Sequence, residues 1–158
     1  MGATSVWERW NGYEVAFGEN NQNSMNSFNH FALGAVGEWM YEYSLGITSG
    51  DATKGQPGYK HFILQPTVGP LYTELQGCYE SNYGPITVKW TADGKGNMKT
   101  YEVNVPANTS ATLYLPGEAG KGNGYVGQEV HLGHSTSHFE LESGHYVFKY
   151  ENGSWMKN

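Results

Sequence analysis

The hydrophobic period of this chain changes once, and that change limits the fold more than any other feature. From Asn26 to Ile47, "NSFNHFALGAVGEWMYEYSLGI", apolar residues recur at helical spacing: Phe28, Phe31 or Ala32, Ala35, Trp39 and Tyr43. From Tyr59 onward the period is two. Segments "YKHFILQPTV" (59–68), "LYTELQGCYES" (71–81), "PITVKWTAD" (85–93) and "MKTYEVNVPA" (98–107) follow one another, then "SATLYLPG" (110–117), "GYVGQEVHL" (124–132) and "SGHYVFKYENG" (143–153). Turn signals "SNYGP", "DGKGN", "PANTS" and "GEAGKGNG" punctuate them. Seven or eight short strands with such spacing predict a mainly β protein, an antiparallel β-sandwich, preceded by one long helix over about 27–46. Asn26 or Ser27 is expected to cap that helix and Gly46 to end it. Residues 48–58, "TSGDATKGQPG", read as a linker.

The predicted helix is odd in two ways. Gly34 and Gly37 each cost about 1 kcal/mol relative to Ala in a helix interior, which suggests that another backbone approaches there. Val36, Met40 and Leu45 make the helix apolar on more than one side, so it calls for burial on several sides. The 158 residues suffice for one domain with a core, and a second element has to be small.

Composition excludes several classes of function. The net charge is −6, and the nine Lys and Arg residues are scattered. Nucleic acid is therefore not an expected partner, because phosphate neutralisation needs a basic cluster. No apolar run approaches the roughly 20 residues of a membrane span. Cys78 is the only cysteine. It gives no disulfide framework and no thiolate metal site, and it fixes no compartment. It reads as a small buried or half-buried strand residue. "GEAGKGNG" departs from a phosphate loop, having Leu115 and Gly122 where Gly and Ser or Thr are needed. His131, His134, His138 and His145 are close in sequence but lie in a strand-and-turn pattern, so no metal site is expected. No cofactor is implied either.

One stretch, "SVWERWNG" (5–12), carries chemistry. Glu8 lies between Trp7 and Trp10, with Arg9 beside it. Read alone, Glu8 is either a loop acid beside two packing indoles or a functional carboxylate. A neighbouring Arg9 favours the ionised form of an acid. An extended backbone there would place Glu8 and Trp10 on one side and Trp7 and Arg9 on the other.

"GATSVWERW", "NSFNHFALGAVGEWMY", "GYKHFILQPTVGPL", "YESNYGPITVKW" and "VNVPANTSATLYLP" occur in the order found at the C-terminal end of bacterial alpha-L-rhamnosidases. The resemblance runs from Gly2 to about Pro116 and more loosely to the end. It implies that residues 1–50 are the last segment of a helical (α/α)6 toroid, the catalytic domain, and that residues 51–158 are the C-terminal β-sandwich domain. It further implies inverting hydrolysis of terminal alpha-L-rhamnosides. Rhamnose-containing glycosides or polysaccharides are the implied partners, together with the missing N-terminal part of the catalytic domain. On this resemblance Glu8 is the general base, His30 lies near the bound sugar, and Trp10, Trp7, Arg9 and Asn29 are candidate substrate-binding residues. The family's general acid lies far upstream, and nothing in this chain matches it. The isolated chain is therefore expected to be inactive. The competing reading is a non-catalytic β-sandwich, an accessory or carbohydrate-binding module with the helix as docking element.

Overall fold

In a computed structural model of the protein, residues 3–19, 25–117, 125–131 and 134–157 are described. Most of the Asn-rich connection and of the "GEAGKGNG" turn lies outside them. The chain divides into two compact units, Met1–Trp39 and Met40–Asn158.

The second unit is a β-sandwich of two five-stranded sheets. One has β1 (Ile47–Ser49), β2 (His61–Leu64), β6 (Ser110–Pro116), β8 (His134–Leu141) and β7 (Tyr125–His131), in that order across the sheet. The other has β10 (Ser154–Lys157), β9 (Gly144–Glu151), β5 (Met98–Val105), β4 (Gly84–Ala92) and β3 (Glu74–Ser81). Alternation does the sorting. On β4 the side chains of Ile86, Val88 and Trp90 are buried while Thr87 and Lys89 are exposed. Tyr101, Val103 and Val105 of β5 point inward in the same way, as do Ala111, Leu113 and Leu115 of β6. One hydrophobic core draws on both sheets. Phe139 of β8 meets Phe148 of β9 with ring centroids 4.9 Å apart, and Trp155 Nε1 of β10 donates to the Pro116 carbonyl of β6 at 2.7 Å.

Four details depart from the sequence reading. The pair β2–β6 is parallel, in a sandwich that is otherwise antiparallel. Part of the linker is strand: Thr48 and Ser49 belong to β1, paired to β2. Cys78 is exposed, not buried, and its thiol lies 3.5 Å from Glu80 Oε1. Partial desolvation, with the Glu80 carboxylate, pushes its pKa up.

The long helix is the fourth. It is three short pieces: α2 (Phe31–Gly34), α3 (Val36–Trp39) and a π-helical segment, Met40–Leu45. It starts at Phe31 because the residues before it bond elsewhere. Asn26 Nδ2 donates to the Gly12 carbonyl, and the Ser27 backbone pairs with Glu8, so neither caps the helix. Among the described residues no other backbone approaches Gly34 or Gly37. A Cβ on Gly34 would meet only Val6 Cγ2, at 3.9 Å, and one on Gly37 nothing within 4 Å.

The π-helical segment is fastened to the second sheet. Leu45 lies over Gly77 of β3, where a Cβ would come within 2.4 Å of its Cδ1. Trp90 Nε1 donates to the Ser44 carbonyl at 2.9 Å, and the Tyr41 hydroxyl to the Cys78 carbonyl at 3.3 Å. Gly46, at φ +77°, ends the segment. Among the described residues no helix is long and apolar enough to cross a membrane.

Candidate active site

The first unit is built around two chain segments lying side by side. The His30 amide donates to the Val6 carbonyl at 2.7 Å, and the Glu8 amide to the Ser27 carbonyl at 2.8 Å. The Ser5 hydroxyl donates to the Phe28 carbonyl. Between them, Trp7 packs edge-on against Phe28, centroids 5.1 Å apart, and Phe28 stacks on Phe17 of α1 (Gly12–Phe17). At Gly12, where α1 begins, a Cβ would sit 2.9 Å from Asn26 Nδ2, so a larger residue there would push that side chain aside.

This frame fixes the Glu8 carboxylate. Its Oε2 accepts from the Ser27 amide at 2.8 Å, so backbone and side chain of Glu8 both engage Ser27. A charge-assisted bond of this kind is stronger than a neutral one and orients the carboxylate. Oε1 has no hydrogen-bond partner among the described residues. Glu8 is half-buried. Arg9 is exposed, and no ion pair joins it to Glu8 among the described residues.

Beside the carboxylate is a cavity of about 630 Å³, walled by Val6, Trp7, Glu8, Arg9, Trp10 and Leu33, with Ala3 and Ser5. The backbone turns at Glu8–Asn11 instead of staying extended, and the Gly12 amide donates to the Arg9 carbonyl. All four residues from Trp7 to Trp10 can therefore line one cavity. Trp7 is half-buried against Phe28, whereas Trp10 is 100% exposed. An apolar cavity with one held carboxylate suits a ligand with both C–H faces and hydroxyls.

The other two candidates lie in the neighbouring segment but not in the cavity wall. His30 is half-buried, immediately before α2, and Asn29 is exposed, its amide 3.3 Å from Ser27 Oγ. Ser27, the residue that holds the carboxylate, is not marked by sequence reasoning as a site residue. Its amide belongs to every residue type except proline, so no local pattern announces it. His138 and His145 lie on different sheets, each 2.9 Å from a glutamate, Glu140 and Glu102 respectively. The side chains of His131 and His134 lie outside the described residues.

Comparison with known proteins relates the chain, though not the individual site residues, to bacterial alpha-L-rhamnosidases. The model of the bacterial alpha-L-rhamnosidase C-terminal domain matches residues 46–130, and that of the bacterial alpha-L-rhamnosidase 6 hairpin glycosidase domain matches residues 1–44. An alpha-L-rhamnosidase of Formosa agariphila is 40% identical over 116 residues, covering 73% of this chain and 12% of that protein. One of Streptomyces avermitilis is 36% identical over 117 residues, 74% of this chain and 11% of that protein. The chain thus spans about an eighth or less of the length of these relatives. The crystal structure of the Streptomyces avermitilis alpha-L-rhamnosidase complexed with L-rhamnose superposes with a TM-score of 0.68 at 28% identity, over 94% of this chain and 14% of that one. That of native alpha-L-rhamnosidase from Aspergillus terreus gives 0.65 at 26% identity, over 96% and 15%.

Proposed function

The chain belongs to the bacterial alpha-L-rhamnosidase family, and we propose that it is the C-terminal part of an inverting glycosidase acting on terminal alpha-L-rhamnosides, with Glu8 as its general base. On this reading residues 1–50 hold the last segment of the helical catalytic domain, with β1 at their end already joined to the C-terminal sandwich that residues 51–158 make up. Inversion needs two carboxyl groups. One protonates the leaving oxygen; the other takes a proton from water on the opposite face of the sugar, across roughly 6.5–9.5 Å.

The observation that carries the assignment is the division of labour within one carboxylate. Oε2 is occupied by the Ser27 amide, while Oε1, without a partner among the described residues, is left to accept a proton from water. The base is thereby oriented before substrate arrives. Trp7 and Trp10, in the same cavity wall, offer apolar faces to the C–H side of a 6-deoxy sugar. His30 and Asn29 supply hydrogen-bonding groups from the neighbouring segment.

The second carboxyl group is proposed to lie in the rest of the helical domain, so the chain by itself does not turn over rhamnosides. Glu8→Gln in an enzyme completed with its upstream part tests the base. The amide keeps the shape but cannot take the proton, and general base catalysis is worth about 10²–10⁴-fold. A loss of that size in kcat, with unchanged folding, is expected; near-normal turnover rules Glu8 out.

A further inference from the structure

A second cavity, of about 420 Å³, lies wholly within the sandwich unit, at the end where three connections meet. Lys60 and His61 come from the start of β2, Asn108 and Ser110 from the turn into β6, and Glu142 and Ser143 from the turn between β8 and β9. Loops clustered at one end of a β-sandwich are a common place for recognition.

The polar side chains behind this cavity form one directed hydrogen-bond chain. Glu140 Oε1 can only accept when ionised, so the Thr112 hydroxyl, 2.9 Å away, donates to it. Thr112 then accepts from His61 Nε2 at 2.9 Å, which fixes the proton of a neutral imidazole on Nε2. In that neutral form His61 Nδ1 is an acceptor, and the Ser110 hydroxyl, 2.8 Å away, donates to it. Ser110 has then given away its only proton, so its oxygen, in the cavity wall, can take part in further hydrogen bonds only as an acceptor.

The wall consequently alternates in function. Ser110 Oγ and the Glu142 carboxylate accept. The Asn108 amide donates, as do the ammonium protons of Lys60 left over from its bond to the Asn108 carbonyl. Glu142 makes no ion pair among the described residues. One cation and one anion face the same space, so a bound anion would meet Glu142 and a bound cation would meet Lys60. A ligand of neutral hydroxyls, each giving one hydrogen bond and taking another, satisfies both. The Lys60 ammonium also lies 5.7 Å from the centroid of the Tyr83 ring, so an aromatic face adjoins it.

We propose that this cavity is a saccharide-binding site, distinct from the Glu8 cavity, that holds a neutral sugar unit of the substrate. The choice of L-rhamnose as probe rests on the rhamnosidase reading. The test is a titration of the 158-residue chain with L-rhamnose, and separately with D-glucose and sulfate, followed by amide NMR shifts. Saturable shifts with a sugar at Lys60, His61, Asn108 and Ser110, with a Kd in the range of about 1 mM or weaker, are expected. Two variants, Glu142→Gln and Ser110→Ala, should each raise that Kd at least fivefold while the spectrum stays dispersed. No saturable sugar shifts at these residues, shifts that neither variant weakens, or saturation by sulfate alone would overturn the proposal. Turnover of an aryl rhamnoside by the completed enzyme separates the two readings: its loss in Glu8→Gln reports on the Glu8 cavity alone, whereas the sugar-dependent shifts at Lys60, His61, Asn108 and Ser110 report on this one.

Discussion

Tyr101 sits at the middle of the sandwich core with 0% of its surface exposed, yet its hydroxyl has no hydrogen-bond partner among the described residues. Burial alone pushes its pKa far up. Tyr101→Phe removes the oxygen and keeps the ring. A buried hydroxyl without a partner costs about 1–3 kcal/mol in desolvation. The variant regains that, less the contacts that the oxygen makes with its neighbours. A net gain of about 1 kcal/mol is expected. For a unit of the size of Met40–Asn158 the unfolding entropy is about 0.25 kcal/mol/K, so Tm should rise by about 4 °C. The alkaline limb of the stability curve gives a second reading. Below pH 10.0, the ordinary value, both folded and unfolded states keep the phenol proton. Above it the unfolded chain ionises first while the folded state holds on, so stability falls as pH rises. Tyr59, raised by its own burial and by Tyr79, contributes to the same fall. Tyr101→Phe should make the fall shallower without abolishing it. Thermal melts by circular dichroism between neutral and alkaline pH measure both effects. A Tm lowered by several degrees would show that the hydroxyl is partnered, and the account of this core would be wrong.

Other consequences can be checked with the same melts and with urea. Gly46→Ala puts a Cβ at φ +77° within 2.2 Å of the Pro66 nitrogen and 2.3 Å of the Gln65 carbonyl carbon. Backbone cannot swing aside as a side-chain tip can, so a loss above about 3 kcal/mol is expected as a lower urea midpoint; a loss under 1 kcal/mol contradicts the packing. Asp93 is held well below its ordinary 3.8 by the Asn97 side chain, by the Lys95 and Asn97 amides and by the charge of Lys99. The stability it lends is present above about pH 4 and is lost as pH falls toward its folded pKa. Asp93→Asn should therefore flatten the acid limb, and an unchanged acid limb would refute the linkage.

The strands were legible because inward and outward residues alternate, as Ile86, Val88 and Trp90 do against Thr87 and Lys89. The failures have separate causes. β8 hides because buried Thr136 and Ser137 stand where apolar residues would mark the strand; Ser137 Oγ is satisfied by the Gly117 carbonyl at 2.6 Å. β10 escapes the sequence reading although Asn152–Gly153, both at positive φ, suit a tight hairpin, because only Trp155 beyond them carries an inward apolar signal. The parallel pairing of β2 with β6 is set by the whole topology and has no local mark. At the candidate site, Glu8 and the two indoles stand out by their types, but their proposed roles come from the family resemblance. The Ser27 clamp was not, because it is made by a backbone amide 19 residues away.

The two units differ in how far they satisfy themselves, and this bears on whether the proposed upstream part can be supplied separately. The sandwich closes its own core. The first unit leaves Val6, Trp10, Phe17, Phe31, Leu33 and Val36 between 45% and 100% exposed, more apolar surface than scattered single residues present. Fully burying such a side chain contributes about 1.5–3 kcal/mol. Already partly covered, the six together offer on the order of 5–10 kcal/mol. Bringing two polypeptides together costs an estimated 4–15 kcal/mol in lost freedom. The terms are of similar size, so association in trans should be weak, whereas covalent continuity removes most of the cost. On the proposed reading, a mixture of this chain with a separately produced upstream part should gain rhamnosidase activity only at micromolar concentrations or above. Its rate should rise with the concentration of either part, while the continuous polypeptide should keep its specific activity on dilution. Full activity of a nanomolar mixture would mean that a larger interface than these side chains joins the parts. Activity of this chain alone would remove the need for a second carboxyl group from elsewhere, and with it the mechanism assigned to Glu8.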